Sequence, residues 1–191
     1  KVKRIPNFKK WINGEFSSKR IRKVNIDDLL GRAPIDLDVA KIKNEIKQKT
    51  ILVTGAAGSI GSGLVRQILD YDPKQVILLD QAESPLYDLE NELISKGYRG
   101  KFEVVIGDIQ FYHRMHRLFS KMLPDIVFHA AAYKHVPLME KSPYEAIKVN
   151  VLGTKNLADL SIENGIERFV MVSTDKAVNP TNVMGASKRI A

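Results

Sequence analysis

Short apolar runs alternate with stretches of helical spacing from residue 50 to the end of the chain. Each run is three to five residues long and is bounded by polar or turn-forming residues, as expected of strands buried in a sheet. Between the runs, apolar residues recur every three or four positions, which predicts helices. The predicted strands are 51–53, 75–79, 102–106, 126–128 and 169–172. Strands joined by helices of this length predict a parallel sheet with right-handed crossovers.

Turn-forming residues predict where the helices begin and end. A Ser-Pro pair at 84–85 fits the N-cap and first position of a helix that ends at Gly97, and a second Ser-Pro pair at 142–143 opens a long helix that ends at 164–165. Another helix is predicted over 115–122, the last helix begins at Met184, and the predicted loops are 130–141 and 173–183.

The first 49 residues have a different pattern. A short turn is predicted over 26–30, and a short helix has its N-cap at Asp38. These pieces are too small to form a core of their own. We therefore divide the chain into 1–49, a basic arm with a short helical appendage, and 50–191, an α/β domain.

The formal charge of +8 comes from the first 23 residues. That segment carries nine Lys or Arg and one acidic residue, Glu15, so the rest of the chain sums to zero. There are three alternatives for this basic segment: a solvated linker, a membrane-proximal arm attracted to anionic lipid, or a nucleic-acid-binding arm. The arm has no recognition-helix pattern and few aromatic residues, so we expect no nucleic-acid partner.

Composition excludes several classes of site. The chain is 44 % hydrophobic and 27 % charged, as in soluble globular domains, and it has no cysteine for a disulfide, a thiolate metal site or a nucleophile. It has no apolar stretch of the roughly 18 residues that a membrane span needs. His113 and His116 have no carboxylate at metal-ligand spacing, so we interpret them as structural and expect no metal site.

The segment Thr-Gly-Ala-Ala-Gly-Ser-Ile-Gly at 54–61 predicts a phosphate-binding turn between a strand and a helix. Its glycines let an anion approach the backbone, and the helix that follows directs free N–H groups at that anion. The next strand ends in Asp80, near the spacing at which a carboxylate binds the ribose of NAD. The carboxyl ends of the strands, at Gly55, Asp80, Asp108, Ala130 and Ser173, are expected on one rim. We predict a Rossmann-type, doubly wound parallel sheet.

Longer motifs carry a more specific resemblance. The glycine loop, Gly-Asp-Ile at 107–109, His-Ala-Ala-Ala at 129–132, Asn150 and Ser-Thr-Asp-Lys at 173–176 resemble extended short-chain dehydrogenases/reductases. The chain also resembles, over nearly its whole length, the membrane-anchored UDP-N-acetylglucosamine 4,6-dehydratases of bacterial polysaccharide and capsule synthesis. The segments that carry this closer resemblance are 28–37, 82–87, 129–140 and 173–185.

The resemblance implies a set of cofactor-binding residues. The glycine loop would hold the pyrophosphate of NAD, Asp80 the adenosine ribose, and Asp108 the adenine region. Neither of the next two residues, Gln81 and Ala82, is basic, which favours NAD over NADP. The full implied set is Gly55, Ala57, Gly58, Ser59, Ile60, Gly61, Asp80, Gln81, Asp108, Ile109, Ala130, Ala131, Ala132 and Lys188.

The resemblance also implies an internal redox dehydration of a UDP-sugar. Hydride leaves C4 for NAD, a base removes the C5 proton, an acid helps the C6 hydroxyl leave, and the hydride returns to C6. Asp175 would be the acid and Lys176 the base, which requires the pKa of Asp175 to be raised and that of Lys176 to be lowered.

One position departs from most short-chain dehydrogenases. In their Tyr-x-x-x-Lys motif the tyrosine is replaced here by Met184, while Lys188 is present. Because a thioether cannot transfer a proton, Thr174 is expected to position the C4 hydroxyl, with Asp175, Lys176 or water accepting its proton. The implied catalytic set is Thr174, Asp175, Lys176, Met184 and Lys188, and the implied substrate-binding residues are Lys134, His135 and Asn150.

Two other functions stay open from the sequence: a nucleotide-sugar 4-epimerase, and a non-catalytic NAD-binding interaction domain. In the family, transmembrane helices precede this region and the substrate-binding part follows it. The resemblance therefore implies a homo-oligomer at the cytoplasmic face of the cell membrane, of which these 191 residues would be a soluble portion that binds NAD without catalysing dehydration alone.

Overall fold

A computed structural model describes residues 38–191 and two short strands, β1 (Lys3–Arg4) and β2 (Arg22–Lys23). The chain divides into two compact units, Lys1–Val39 and Ala40–Ala191. In the first unit β1 and β2 pair antiparallel, with Lys3 opposite Lys23 and Arg4 opposite Arg22. The turn predicted over 26–30 lies outside the described residues.

The second unit contains a parallel sheet of five strands. These are β3 (Thr50–Thr54), β4 (Gln75–Asp80), β5 (Phe102–Ile106), β6 (Ile126–His129) and β7 (Arg168–Met171). Their order is β5-β4-β3-β6-β7, and every neighbouring pair is parallel. The doubly wound sheet predicted from the sequence is confirmed. Its order reverses between β3 and β6, and ligands bind at such a point in this fold.

Eight α-helices lie within residues 38–191. They are α1 (Val39–Ile46), α2 (Ser59–Leu69), α3 (Glu83–Ser95), α4 (Tyr112–Met122), α5 (Val136–Lys141), α6 (Pro143–Ala146), α7 (Thr154–Glu163) and α8 (Val183–Ile190). Among the described residues no helix has both the length and the apolar character needed to cross a bilayer.

Alternation along the strands separates two apolar layers. Ile51 and Val53 of β3 pack with α2 and α3 on one face of the sheet, while Leu52 packs with α4 and α7 on the other. All three residues are fully buried. Successive side chains of a strand point to opposite faces, so a continuous apolar run indicates a sheet covered on both sides.

Several predicted boundaries were wrong. The predicted loop at 130–141 contains α5. Helix α3 begins at Glu83 with Ala82 at its N-cap position, two residues before the predicted cap at Ser84. A Ser-Pro pair fixes a favourable backbone for a helix start but does not require the side chain to cap. Ser142 does occupy the N-cap position of α6, but its side chain makes no capping hydrogen bond.

The long helix predicted after Ser142 is interrupted by a π-helical segment, Ile147–Gly153, which joins α6 to α7. Extra residues in a helical turn shift the faces on which later side chains lie, and such turns are frequent at functional sites. The helix closes at Asn164 and Gly165, as predicted, and Gly165 has a φ of 64°.

Truncation of the buried face of α7 should destabilise the domain. Leu157 is fully buried and Ile162 is 81 % exposed on the same helix. We expect Leu157→Ala to lower the free energy of unfolding by about 2–5 kcal/mol and Ile162→Ala to change it by less than about 0.5 kcal/mol. Urea denaturation measures both. Equal effects of the two substitutions would contradict this assignment of the core.

Candidate functional site

A cavity of about 240 Å³ lies at the carboxyl ends of β3, β4, β5 and β6. Its walls come from the turn after each of these strands, as the predicted rim requires. Ten predicted cofactor residues line it: Gly55, Ala57, Gly58, Asp80, Gln81, Asp108, Ile109, Ala130, Ala131 and Ala132. The lining also includes Leu79, Ala82, Pro85, Gly107, Tyr133 and Val149, to which the sequence analysis gave no role. The other predicted cofactor residues, Ser59, Ile60, Gly61 and Lys188, lie outside the lining.

The glycine loop is shaped by close backbone contacts. Gly55 has a φ of +67°, and a Cβ there would lie 2.6 Å from the Ala131 backbone nitrogen. A Cβ on Gly61 would lie 1.9 Å from the Gly55 carbonyl oxygen. Glycine is therefore required at both positions. The loop leads into α2, whose N-cap position is Gly58 and whose first turn has no side-chain cap.

Asp80 holds the glycine loop against the turn after β4. One oxygen of its carboxylate accepts a hydrogen bond from the Ala57 backbone N–H at 2.9 Å, and the other accepts from the Ala82 N–H at 2.9 Å. A carboxylate fixed in this way beside the cavity would repel a phosphate on a bound ribose. It also organises the loop before any ligand binds.

The wall after β5 is held by α7. Ile109 is 4 % exposed, and its side chain lies against Gly153, where an added Cβ would come within 2.6 Å of it. The Asn156 amide donates to the carbonyls of Ile109 and Gln110, each at 3.1 Å. Asp108 accepts hydrogen bonds from the Gln110 backbone N–H and side-chain amide, each at 2.9 Å.

Asn150 is fully buried in the π-helical segment, and its side chain bonds to protein groups. Its Oδ1 accepts from the Tyr133 N–H at 2.8 Å, and its Nδ2 donates to the Tyr133 carbonyl at 3.0 Å and to Ser187 Oγ at 2.9 Å. The structure thus places Asn150 as a brace between the cavity wall and α8. Its predicted contact with substrate remains a prediction.

His129, at the end of β6, is the first residue of the His-Ala-Ala-Ala motif, and the motif predicts no role for it. Its ring is fully buried between the hydroxyls of Thr54, 2.7 Å from Nδ1, and Thr154, 2.9 Å from Nε2. Burial, assisted by the nearby charge of Lys188, lowers the pKa of His129 to about 3. A fully buried histidine at the end of an apolar strand marks a polar network that sequence reasoning missed.

Helix α8 carries Met184 and Lys188 on one buried side. Met184 is 3 % exposed and packs with Met139 and Ala146, so it fills a small apolar cluster. Lys188 is 6 % exposed and, among the described residues, its amine has no hydrogen bond or ion pair. Burial lowers the pKa of Lys188. Among the described residues, no side-chain nitrogen or oxygen is both buried and without a hydrogen-bond partner, so the Lys188 amine reaches solvent although most of the residue is buried. The amine is therefore accessible to a polar ligand.

Thr174, Asp175 and Lys176 lie on a turn next to α8. Asp175 and Lys176 open the 3₁₀ turn Asp175–Ala177, and a Cβ on Gly185 would lie 2.4 Å from the Lys176 carbonyl oxygen, so glycine allows the turn to pack on the helix. The Thr174 hydroxyl donates to Asp175 Oδ1 at 2.9 Å, and Lys176 Nζ lies 3.5 Å from the same oxygen.

The expected rise in the pKa of Asp175 is wrong for the chain as it stands. The Asp175 side chain is 88 % exposed, and the hydrogen bond from Thr174, followed by the charge of Lys176, lowers the pKa of the carboxyl. Desolvation, which would raise the pKa of this carboxyl, is the smallest of the effects on it, so the carboxylate is ionised near neutral pH.

Lys134 and His135, predicted to contact substrate, lie at the start of the segment that leads into α5. Both are exposed, and Lys134 Nζ lies 3.5 Å from the hydroxyl of Ser59, the first residue of α2. The ammonium group therefore sits beside the glycine loop. His113 and His116 lie instead on α4, with ring centroids 5.9 and 6.1 Å from that of Tyr112.

These features fit a dinucleotide. The glycine cradle leaves space that a side chain would fill, α2 presents an uncapped first turn, and the mostly buried Lys188 has an amine without a hydrogen bond to the described residues. Anions bind at such helix N-termini, and ribose hydroxyls bind carboxylates such as Asp80 at this point of the fold.

A family model described as polysaccharide biosynthesis protein matches residues 51–191. The chain belongs to this family. It is 50 % identical over 190 residues to the capsular polysaccharide biosynthesis protein CapD of Staphylococcus aureus, covering 98 % of this chain and 32 % of CapD. It is 36 % identical over 142 residues to a UDP-N-acetylglucosamine 4,6-dehydratase (inverting) of Campylobacter jejuni, covering 74 % of this chain and 41 % of that enzyme. The family resemblance drawn from the motifs is confirmed.

A UDP-glucose 4-epimerase of Rickettsia canadensis is also 36 % identical, over 146 residues, with 74 % of this chain and 41 % of the epimerase covered. Among solved structures, Pen from Bacillus thuringiensis has a TM-score of 0.71 and 33 % identity over 76 % of this chain and 45 % of that chain. WbmG of Bordetella bronchiseptica, solved in complex with NAD, has a TM-score of 0.65 and 22 % identity over 75 % of this chain and 48 % of its own, a likeness of fold. The chain spans about a third of CapD and under half of the other proteins.

Two glycines of α2 allow a matched test of the cradle. A Cβ on Gly61 meets the Gly55 carbonyl, whereas no atom lies within 4 Å of a Cβ on Gly63. We expect Gly61→Ala to lower the free energy of unfolding by about 1–3 kcal/mol, because the loop must move. Gly63→Ala should raise it by up to about 1 kcal/mol through helix propensity. Thermal unfolding of both variants checks this, and tolerance of Gly61→Ala would contradict the geometry.

Burial of neutral His129 should make stability depend on pH. The folded-state pKa is about 3 and the ordinary value is 6.5, so between these values only the unfolded chain binds the proton. The free energy of unfolding should therefore fall as pH drops below 6.5, by about 2 kcal/mol at pH 5. His129→Gln should lack this component. Denaturant titrations at pH 7.5 and pH 5 measure it, and an equal pH dependence in the variant would contradict the assignment.

Proposed function

We propose that the chain is the NAD-binding part of an enzyme that dehydrates UDP-N-acetylglucosamine to a 4-keto-6-deoxy sugar nucleotide for cell-surface polysaccharide synthesis. The observation that carries the proposal is the pairing of Met184, packed in an apolar cluster, with Thr174, Asp175 and Lys176 on a turn held against the same helix. A site that lacks the tyrosine of the Tyr-x-x-x-Lys motif, but that has Asp175 as an acid and Lys176 as a base, suits elimination of water.

The proposed cofactor residues divide by location. The glycine loop and the first turn of α2 would bind the pyrophosphate, Asp80 the adenosine ribose, Asp108 and Ile109 the adenine region, and Lys188 the nicotinamide ribose. These residues would hold NAD, which would supply a reversible hydride acceptor for the sugar. The cofactor residues Ser59, Ile60 and Gly61 would act through the backbone of α2, because a helix start presents free N–H groups.

The proposed proton transfers belong to the exposed turn. Lys176 removes the C5 proton, and Asp175 gives a proton to the C6 hydroxyl as the C6–O bond breaks and water leaves. Asp175 is ionised in the free chain, so a bound sugar must exclude water from it to raise its pKa. Thr174 already donates to Asp175, and that hydroxyl would have to turn toward the sugar.

A nucleotide-sugar 4-epimerase is the second candidate. The epimerase of Rickettsia canadensis and the dehydratase of Campylobacter jejuni have the same identity to the chain. Epimerisation uses hydride transfer at C4 but needs no acid for the C6 hydroxyl, so the Asp175 and Lys176 pair favours dehydration.

Attachment of the complete protein to the cytoplasmic face of the cell membrane, and its assembly as a homo-oligomer, are part of the proposal. The basic residues 1–23 support the attachment, and the resemblance supports both. Lys134 and His135 are proposed to contact substrate phosphate, and Lys134 is supported by its place beside the glycine loop.

The reaction can be followed by proton NMR of the complete protein with UDP-N-acetylglucosamine. We expect a new C6 methyl doublet. Asp175→Asn and Lys176→Ala should each lower its rate of appearance by about 10²–10⁴-fold, because each removes a proton-transfer group, and both should leave NAD affinity unchanged. Asp159→Asn, which breaks the exposed Lys155–Asp159 pair on α7, is the matched control and should keep the wild-type rate.

Different outcomes separate the alternatives. A C4 epimer without a methyl doublet would overturn dehydration in favour of epimerisation. Bound NAD with no product from the complete protein would favour a non-catalytic domain.

A further inference from the structure

Three buried polar side chains outside the proposed chemistry connect the sheet to the helix that braces the cavity. Thr54 ends β3, His129 ends β6 directly opposite it, and Thr154 begins α7. Thr54 and His129 are fully buried, and Thr154 is 4 % exposed. Buried polar groups are costly unless hydrogen-bonded, and each of these has a partner.

The chemistry of the hydroxyls fixes the direction of each hydrogen bond. Thr154 Oγ1 lies 2.6 Å from the Asn150 carbonyl oxygen, which can only accept, so the one hydroxyl proton of Thr154 is used there. Thr154 must then accept from His129, and Nε2 of the ring carries the proton. Burial lowers the pKa of His129 to about 3, so the ring is neutral at pH 7 and its Nδ1 accepts from the Thr54 hydroxyl.

The carbonyl that Thr154 contacts belongs to the π-helical segment. In an ordinary α-helix the Asn150 carbonyl accepts the N–H of residue 154. Here the Thr154 N–H donates to the Val151 carbonyl, and the Thr154 hydroxyl donates to Asn150. The hydroxyl therefore supplies a donor where the helical geometry is altered.

The side chain of Asn150 extends this chain of bonds in two directions. It holds both backbone groups of Tyr133, which lines the cavity, and it donates to Ser187, the neighbour of Lys188 on α8. A shift of the Asn150 backbone would move both contacts at once.

We propose that His129 and Thr154 are positioning residues that fix the backbone of Asn150, so that its amide holds the Tyr133 wall of the cavity and the Ser187–Lys188 end of the site in register. Neither residue lines the cavity. The part of this inference that concerns ligand affinity rests on the proposed NAD site, and the part that concerns the hydrogen bonds does not.

Helix α7 offers a matched control. Ser161 is 5 % exposed, and its hydroxyl donates to the Leu157 carbonyl at 2.6 Å, the same bond to the fourth preceding residue that Thr154 makes. Thr154→Val and Ser161→Ala each remove one such buried hydroxyl, and Thr154→Ser retains it. A purely structural role predicts similar behaviour of Thr154→Val and Ser161→Ala.

The ligand-free measurement is hydrogen exchange of the Tyr133 amide, whose acceptor is Asn150 Oδ1. We expect Thr154→Val to speed this exchange about tenfold beyond any increase that a change in global stability explains. The reason is that the Asn150 carbonyl loses the Thr154 hydroxyl that donates to it. Thr154→Ser and Ser161→Ala should keep the wild-type rate. Equal exchange in Thr154→Val and Ser161→Ala would overturn the proposal.

NAD affinity, measured by calorimetry on the same proteins, is the second readout. We expect Thr154→Val to weaken binding about three- to tenfold, Thr154→Ser to restore it and Ser161→Ala to leave it unchanged. If the wild-type chain binds no NAD, the proposed function fails while the exchange result still decides the positioning role. If the wild-type chain binds and Thr154→Val binds equally well, the positioning role fails alone.

A measurement without any variant guards against misfolding of Thr154→Val. The ring ¹⁵N shifts of His129 at neutral pH should show a neutral ring with its proton on Nε2. A proton on Nδ1, or a charged ring, would overturn the hydrogen-bond directions on which the proposal depends.

Discussion

The arrangement of the candidate site depends on the hydrogen bonds of the buried Asn150 side-chain amide. It satisfies both backbone groups of Tyr133 in the cavity wall and reaches Ser187 on the helix that carries Lys188. Without the Asn150 side chain, the loop after β6 would leave two partly buried backbone groups of Tyr133 without these hydrogen bonds, which is costly. The same helical run holds the turn after β5 through Asn156 and Gly153. One continuous element thus positions the walls that come from two strands.

This arrangement separates a rigid part from an exposed part. Around the cavity, the glycine loop, Asp80 and the helical brace are fixed by close contacts and hydrogen bonds to the backbone. Asp175 and Lys176 instead lie exposed on a short turn, where the carboxyl has a lowered pKa. The walls of the cavity are organised before any ligand binds, whereas Asp175 would act as the proposed acid only if a bound sugar removed water from it.

The sheet could be predicted from the sequence because its strands are apolar on both faces. For a run such as 75–79, a buried strand is the simplest interpretation. The glycine loop could be predicted because the need for glycine at a position such as Gly61 depends on one contact with a residue close by in the sequence. Helix starts were less certain, since Ser84 has a favourable sequence but lies inside the first turn of α3. The helix α5 was missed because its first residues follow a rim loop and carry a proline.

The π-helical segment and the network of His129 could not be predicted, because both arise from contacts between residues distant in sequence. Thr54, His129 and Thr154 are 75 and 25 positions apart, and nothing local to any of them indicates the other two. The state of Asp175 was wrongly expected for the same reason: its pKa depends on which groups surround it, and the described chain surrounds it mainly with water.

The most direct test of the account is a crystal structure of the chain with NAD. We predict the adenosine ribose on Asp80, the pyrophosphate over the glycine loop, and the nicotinamide ribose at Lys188, with the bonds from Asn150 to Tyr133 and Ser187 unchanged by binding. NAD bound away from the cavity at the ends of β3 to β6, or an Asn150 side chain turned from Tyr133 to the ligand, would contradict a site that is braced before the cofactor arrives.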